Sequence, residues 1–349
     1  MKNESTLRMP AEWEKHQATW IAWPHESEDW PDKIATVSWV YAEIVRTLTL
    51  SERVEILCHN QEIKDLATFC LDKTRVDSSK YRLHLIPNDR SWLRDSLPTA
   101  VKNHEGKTLW ISWLFRAWAK YDNYSQDAKV AEHVKQITNL EVIPALRSDN
   151  NERFTLEGGA IETDGEGTLL TTEECLLSKI QERNPGLSKE GYEEIFAKYL
   201  GIKKTIWLGN GCQGDDTHGH IDDIARFVGN NKVLLAYEDN KNDENHLASE
   251  DNYQRLKAAT DARGRKLEVI KLPMPRAIHY GEDRLPASYA NFYIANTVVI
   301  VPTFNDEKDI QALQTIASVF PNRKIIGINC VDLVLGQGTL HCLTQQQPA

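Results

Sequence analysis

Leu156-Glu157-Gly158-Gly159, followed by Asp164-Gly165-Glu166-Gly167 and then Thr168-Leu169-Leu170-Thr171, is the stretch that decides the fold. A polar cluster in an apolar run, a tip of Asp and Gly, and a β-prone second arm read together as a hairpin. The same order recurs along the chain. Further tips are His104-Glu105-Gly106, Gly229-Asn230-Asn231, Ala295-Asn296-Thr297 and Gly336-Gln337-Gly338. Their second arms are Thr108–Ile111, Val233–Ala236, Val298–Val301 and Leu340-His341-Cys342-Leu343. Between hairpins, β-branched runs appear at Val54–Leu57, Tyr81–Ile86, Leu140–Ile143, Thr205–Leu208, Leu267–Ile270 and Lys324–Ile328. Most follow a helical pattern, clearest from Asp306 to Phe320, where Ile310, Leu313, Ile316, Ala317 and Phe320 share one face and Pro321 ends the run. Gly186–Leu200 and Ser249–Arg263 read as similar helices, and Asn240–Asp251 as a solvated loop leading into the second.

Five such units in 349 residues average about 70 residues each. The polar clusters enter at a constant phase, Asp95, Glu157 and His220 lying 62 and 63 residues apart. In a closed ring of repeats, residues at one phase converge on a common axis. The competing α/β arrangement is a doubly wound sheet, but no strand is followed by a glycine-rich dinucleotide fingerprint. No low-complexity linker divides the chain, so residues 1–349 are expected to form one α/β domain of about five repeats.

Composition narrows the function. Hydrophobic content of 41% and charged content of 26% are those of a globular protein. A formal net charge of −10 disfavours nucleic acid and anionic membrane and suits a small cationic ligand. The N-terminus carries no apolar signal segment, and no stretch is long enough to span a bilayer. Six scattered cysteines without metal-finger spacing read as free thiols in a reducing compartment, hence a cytoplasmic protein. A homo-oligomer is left open.

The residues that carry chemistry sit in the polar clusters. Cys342 is flanked by Gly336 and Gly338, which let backbone and ligand approach closely. Read as a strand, the last segment sends His341 to the opposite face from Cys342, so a base must come from another unit. His220 is that candidate: in His220-Ile221-Asp222 the two polar side chains of a strand share a face. Glu157, a carboxylate in an apolar run, is expected to orient the imidazole. Asp95 and Asp222 together suit a planar cation, which paired carboxylates can bind through charge-assisted hydrogen bonds. Trp92 could stack on that cation or pack in the core. Carboxylates alone would raise a thiol's pKa, so thiolate formation should depend on bound substrate or charged His220. His218-x-His220-x-Asp222 also resembles the start of the H-x-H-x-D-H run of β-lactamase-type metallo-hydrolases, although Asp223 stands where the next His is needed. No metal and no organic cofactor are expected.

Several motifs together resemble a known family. They run from Met9-Pro10-Ala11-Glu12-Trp13 and Trp20-Ile21-Ala22-Trp23-Pro24 through Trp92-Leu93-Arg94-Asp95 and Leu156-Glu157-Gly158-Gly159. They continue with Thr172-Glu173-Glu174-Cys175-Leu176, Gly214–Asp222, Asn291-Phe292-Tyr293 and His341–Pro348. Over nearly its whole length the chain is similar to the agmatine deiminases and the related bacterial peptidylarginine deiminase-like proteins. The resemblance implies a five-bladed pseudosymmetric α/β propeller, the pentein fold, built from ββαβ units. It implies hydrolysis of a guanidinium to a ureido group and ammonia, first of all agmatine to N-carbamoylputrescine. Cys342 matches the nucleophile, His220 the general acid and base, Glu157 its orienting partner, and Asp95 and Asp222 the guanidinium clamp. A deiminase of peptidyl or free arginine, an amidinotransferase, and a metal-dependent hydrolase using His218, His220 and Asp222 stand as alternatives, in that order.

Overall fold

The computed structural model describes residues 7–349. Its organising unit is an antiparallel hairpin, a helix, and a third strand that returns parallel to the second. One sheet pairs Thr99–Asn103 with Thr108–Ser112 and Val142–Pro144, and Leu7–Arg8 adds to its edge. The next three sheets are Glu162–Thr163 with Thr168–Thr172 and Lys204–Leu208, Ala225–Gly229 with Lys232–Tyr237 and Glu268–Pro273, and Tyr293–Ile294 with Val298–Thr303 and Lys324–Asn329. The fifth joins the two ends of the chain: Gln345–Pro348 runs antiparallel to His16–Ala22, which continues in parallel to Arg53–Cys58 and Tyr81–Leu85.

Local chemistry sets the limits of these elements. The helix Lys189–Leu200 starts where the Ser188 side chain accepts the Gly191 N–H and ends at Gly201, whose φ of 71° is the left-handed position a glycine tolerates. The middle strands Thr168–Thr172, Lys232–Tyr237 and Val298–Thr303 are almost wholly buried, whereas the third strands beside them, such as Glu268–Pro273 and Lys324–Asn329, are largely half-buried or exposed. Trp20, Trp23, Trp30 and Trp110 are fully buried, so the chain's tryptophans mostly serve packing.

Four of the five hairpins read from the sequence form as expected, with their turns at 104–106, 164–167, 229–231 and 295–297. The fifth does not. Leu333–Gly336 and Leu340–Leu343 are single helical turns, and the fifth hairpin is built from strands at opposite ends of the chain. The three polar clusters read as strand interiors are likewise one-turn helices, Leu93–Ser96, Gly158–Ala160 and Ile221–Asp223. The second helix expected in the middle of the chain spans Asn245–Ala258, so half of the presumed loop is helical. A four-residue turn has no periodicity to detect, which is why these segments pass for strands.

Candidate active site

Four of these turns, Leu93–Ser96, Gly158–Ala160, Ile221–Asp223 and Leu340–Leu343, lie immediately ahead of a strand that opens an antiparallel pair, and they meet one another. The contact is close enough to require glycine. A Cβ at residue 158 would lie 2.2 Å from the Arg94 carbonyl oxygen, and one at 159 would lie 2.5 Å from His220 Nδ1. Gly159 N–H donates to Asp95 Oδ1 at 3.0 Å. The Gly158-Gly159 pair thus allows three units to converge.

Cys342 is 6% exposed and sits in the final one-turn helix, between Asn291 and Asp222. Its Sγ is 3.1 Å from Asn291 Nδ2 and 3.7 Å from Asp222 Oδ2. Burial, reinforced by Asp222, Asp223 and Asp95, pushes the thiol well above its ordinary pKa. The protein without ligand therefore holds a neutral thiol. Asp222 is fully buried; burial would raise its pKa, but the His341 hydrogen bond and charge bring it below the usual value. His341 Nδ1 faces Asp222 Oδ2 at 2.7 Å. Cys342 and His341 therefore do not part to opposite faces as a strand would send them; both reach the same carboxylate oxygen.

His220 and Asp222 do not share a face either. His220 turns to the other side, Nδ1 lying 3.9 Å from Asp95 and Nε2 3.8 Å from Glu157, distances too long for direct hydrogen bonds. Burial disfavours its charge, but Asp95, then Cys175 and Glu157, outweigh that and hold the imidazole well above its ordinary pKa. His220 is therefore charged at neutral pH. Glu157 is fully buried, and Arg183 Nε lies 3.2 Å from both of its oxygens. Against the cost of burial, Arg183 first and His220 second keep this carboxylate below its usual range. Asp95 is pushed up to about 6 by burial, His220 opposing and Asp222 and Glu157 adding to the rise. Its Oδ2 accepts Trp118 Nε1–H at 2.8 Å. Trp118 lies in a run of three left-handed non-glycine residues, Ala117, Trp118 and Ala119, with φ of 42°, 59° and 54°. Such backbone is costly, and here it delivers the indole to Asp95.

Cys342 and Asp95 line a cavity of about 340 Å³ together with Trp92, Trp118, Gly336, Gly338 and the polar residues Glu28, Asp29, Arg90, Tyr121 and Asp216. Trp92 donates Nε1–H to Asp29 at 3.1 Å and tilts against Trp30, so it is both wall and core. Arg90 pairs with Asp29, and Asp216 pairs with Lys120 and accepts Tyr121 OH at 2.6 Å.

The metal set proposed from His218, His220 and Asp222 does not assemble. His218 turns to Ser178 Oγ at 3.1 Å and Glu174 at 3.8 Å, His220 to Asp95 and Glu157, and Asp222 to His341. Two other groups bring possible ligand atoms together, Glu157 with Cys175 and His220, and Asp222 with Asp223 and Cys342. In the first, Arg183 and the charged imidazole already oppose a cation. In the second, His341 takes one Asp222 oxygen and Asn291 Nδ2 donates to Asp223 Oδ1 at 2.9 Å.

The sequence reading missed four members of this site. Asn291 braces the fourth unit to the last: its Oδ1 accepts Thr339 Oγ1 at 2.8 Å and His341 N–H at 2.9 Å while Nδ2 faces the thiol. Trp118, Arg183 and Glu12 are the others. Only Asn291 left a signal, since it precedes its hairpin at the phase of Asp95 and Asp222.

Fold and site define an α/β repeat protein with a buried cysteine, a charged histidine and converging carboxylates. The chain belongs to the Porphyromonas-type peptidyl-arginine deiminase family, whose pattern matches residues 8–348. A Mycoplasma capricolum protein provisionally named an agmatine deiminase is 38% identical, covering 97% of this chain and 95% of its own. The agmatine deiminase of Enterococcus faecalis superposes with a TM-score of 0.89 at 33% identity, covering 100% of this chain and 98% of that one. A substrate-bound Cys-to-Ser form of the C. jejuni agmatine deiminase gives a TM-score of 0.86 at 27% identity, covering 98% and 96%. Among the described residues, no helix is long and apolar enough to cross a membrane.

Proposed function

We propose that this chain is a cytoplasmic, cysteine-dependent guanidine hydrolase that converts agmatine and water to N-carbamoylputrescine and ammonia. The observation that carries the reading is the placement of Cys342 Sγ 3.7 Å from Asp222, on a cavity also lined by Asp95. A guanidinium held between those carboxylates offsets the charge that keeps the thiol protonated. The thiol releases its proton to solvent as the guanidinium binds, sulfur adds to the central carbon, and the charged His220 gives its own proton to the departing ammonia as the carbon–nitrogen bond breaks, which leaves a neutral imidazole. Water attacks the resulting amidino-thioether, His220 takes one of its protons, the carbon–sulfur bond breaks with its electron pair returning to sulfur, and the remaining hydroxyl proton passes to that sulfur as the ureido product leaves. Glu157 orients the imidazole in both steps.

The cavity's charge supports agmatine over arginine. Glu28, Asp29, Asp95 and Asp216 line it against a single lining cation, Arg90, so acidic groups outnumber basic ones there. A second positive charge on the substrate suits that lining better than an α-carboxylate does. We read the five units as blades of one five-bladed α/β propeller, a single domain with the site at its axis; the joining of both chain ends in one sheet supports this.

The test is an assay of the purified protein on agmatine, free arginine and a peptide with C-terminal arginine, scoring ureido product and ammonia without an added amine. Ureido product from agmatine above the other two is expected. Faster reaction of either arginine substrate, or dependence on an amine acceptor, would overturn the assignment in favour of an arginine deiminase or an amidinotransferase.

A further inference from the structure

The two oxygens of Asp222 have unequal surroundings. Oδ2 faces His341 Nδ1 at 2.7 Å and Cys342 Sγ at 3.7 Å, whereas Oδ1 is buried without a hydrogen-bond partner. The second nitrogen of His341, Nε2, faces Glu12 Oε2 at 2.8 Å. The ring is 1% exposed. Carboxylate oxygens thus face both ring nitrogens, and a clamp between them requires the ring to donate from both. Glu12 is itself fixed: its Oε1 accepts Ile294 N–H at 2.8 Å and pairs with Arg226 at 2.9 Å, and Oε2 also meets Arg94 at 3.4 Å. Arg226 in turn holds Glu162 at 2.9 Å. One imidazole ring thus bridges Asp222 to a residue near the start of the chain that is tied to three further units.

We propose that His341 is a positioning residue for guanidinium capture: it pins Oδ2 of Asp222 and leaves Oδ1 as the free acceptor for a substrate N–H. Without the clamp the carboxylate can turn about its last bond and spend both oxygens on neighbouring donors. The inference rests on Asp222 acting as a guanidinium ligand, the reading proposed above.

The test uses two substitutions that separate the two ring nitrogens. An asparagine amide can reach the position of Nδ1, and a glutamine amide that of Nε2. His341→Asn should keep a donor on Asp222 and hold KM for agmatine within threefold of wild type. His341→Gln should lose that donor and raise KM tenfold or more, with a smaller change in kcat. Both variants replace the same buried ring by an amide, so a merely structural role would affect them alike. Equal KM changes in the two, or a wild-type KM in His341→Gln, would overturn the proposal. Should one variant fail to fold, the other decides by its own threshold. In wild-type protein labelled with ¹⁵N-histidine, a ring with two slowly exchanging N–H protons that responds to agmatine supports the clamp, and its absence overturns it. Failure of the wild-type protein to make ureido product from agmatine, arginine or the peptide would instead refute the functional reading, and the two-proton ring would still be testable.

Discussion

Replacing Asp95 by asparagine changes one atom and tests the electrostatic design of the site. Asp95 accepts two buried N–H donors, Gly159 at Oδ1 (3.0 Å) and Trp118 at Oδ2 (2.8 Å). An amide offers one oxygen, so its NH₂ must confront one of these donors. The stranded N–H costs about 1–3 kcal/mol. The charge-assisted bond to a guanidinium is worth about 1.5–3 kcal/mol, of which a neutral amide recovers part. The stranded N–H is present with and without substrate and so weighs on stability alone, whereas losing about 1–3 kcal/mol of the charge-assisted bond lowers kcat/KM for agmatine about 5- to 150-fold. The pH profile gives a second readout. Burial pushes Asp95 up to about 6, so in the free enzyme it is neutral below that pH and ionised above it. Since kcat/KM reports the free enzyme, it should rise with pH through about 6 in the wild type, and Asp95→Asn should flatten that acid limb. Asp95 is also the leading support of the charged His220, so the alkaline limb should move towards neutrality. A variant within threefold of wild-type kcat/KM, or one that keeps the same acid limb, would refute this account.

Cys342→Ala removes the attacking sulfur and little volume; ureido product should vanish while the denaturant midpoint stays near wild type, and residual turnover above a thousandth would count against Cys342. The rate of iodoacetamide labelling of Cys342 should shift to lower pH when a small guanidinium compound is bound, because the cation offsets the burial and carboxylates that raise the thiol; identical profiles would contradict that cause. Gly159→Ala drives a methyl to 2.5 Å from His220 Nδ1 and 2.9 Å from Asp95 Oδ1, so it should cost about 1–3 kcal/mol of stability and more than a hundredfold in kcat. Arg183→Met strands Glu157 and should destabilise the fold by about 3–5 kcal/mol at neutral pH. Glu157 has a lowered pKa in the folded protein, so the stability its ionised form brings is present above its unfolded value and lost on acidification; the gap between this variant and wild type should therefore narrow as pH falls, and a constant gap in urea melts would refute the pairing.

What the sequence made legible and what it hid follow from the range of each interaction. Turn chemistry is local, so Asp164-Gly165-Glu166-Gly167 and its three counterparts announced their hairpins. The helix Asp309–Val319 was readable because its apolar face repeats over several turns. The glycines at 158 and 159 advertised close backbone contact, although not with which neighbours. Single-turn helices carry no such signature, and Leu340-His341-Cys342-Leu343 has the apolar alternation of a strand. That error misdirected the reading of His341, which does not turn away from the thiol but meets Asp222 beside it. Trp118 and Arg183 were invisible for another reason: one indole or one guanidinium in an ordinary segment acquires meaning only when distant turns are brought against it.

Cys342 is placed by parts of the chain that are far apart in sequence. Cys342 lies three residues before the start of Gln345–Pro348, a strand whose partner is His16–Ala22 at the other end of the chain. Trp20 Nε1–H donates to Gln347 at 3.0 Å, and Arg94 Nη1 to Gln345 and Gln346 at 2.6 and 2.9 Å. The thiol is thus placed by contacts of very high sequence separation, while Asp95, Glu157 and Asp222 are each introduced by the unit that carries them. Such pairing carries the largest loop-closure cost in the chain. Cys342 therefore comes into register with Asp222 and Asn291 only when the two ends of the chain have met.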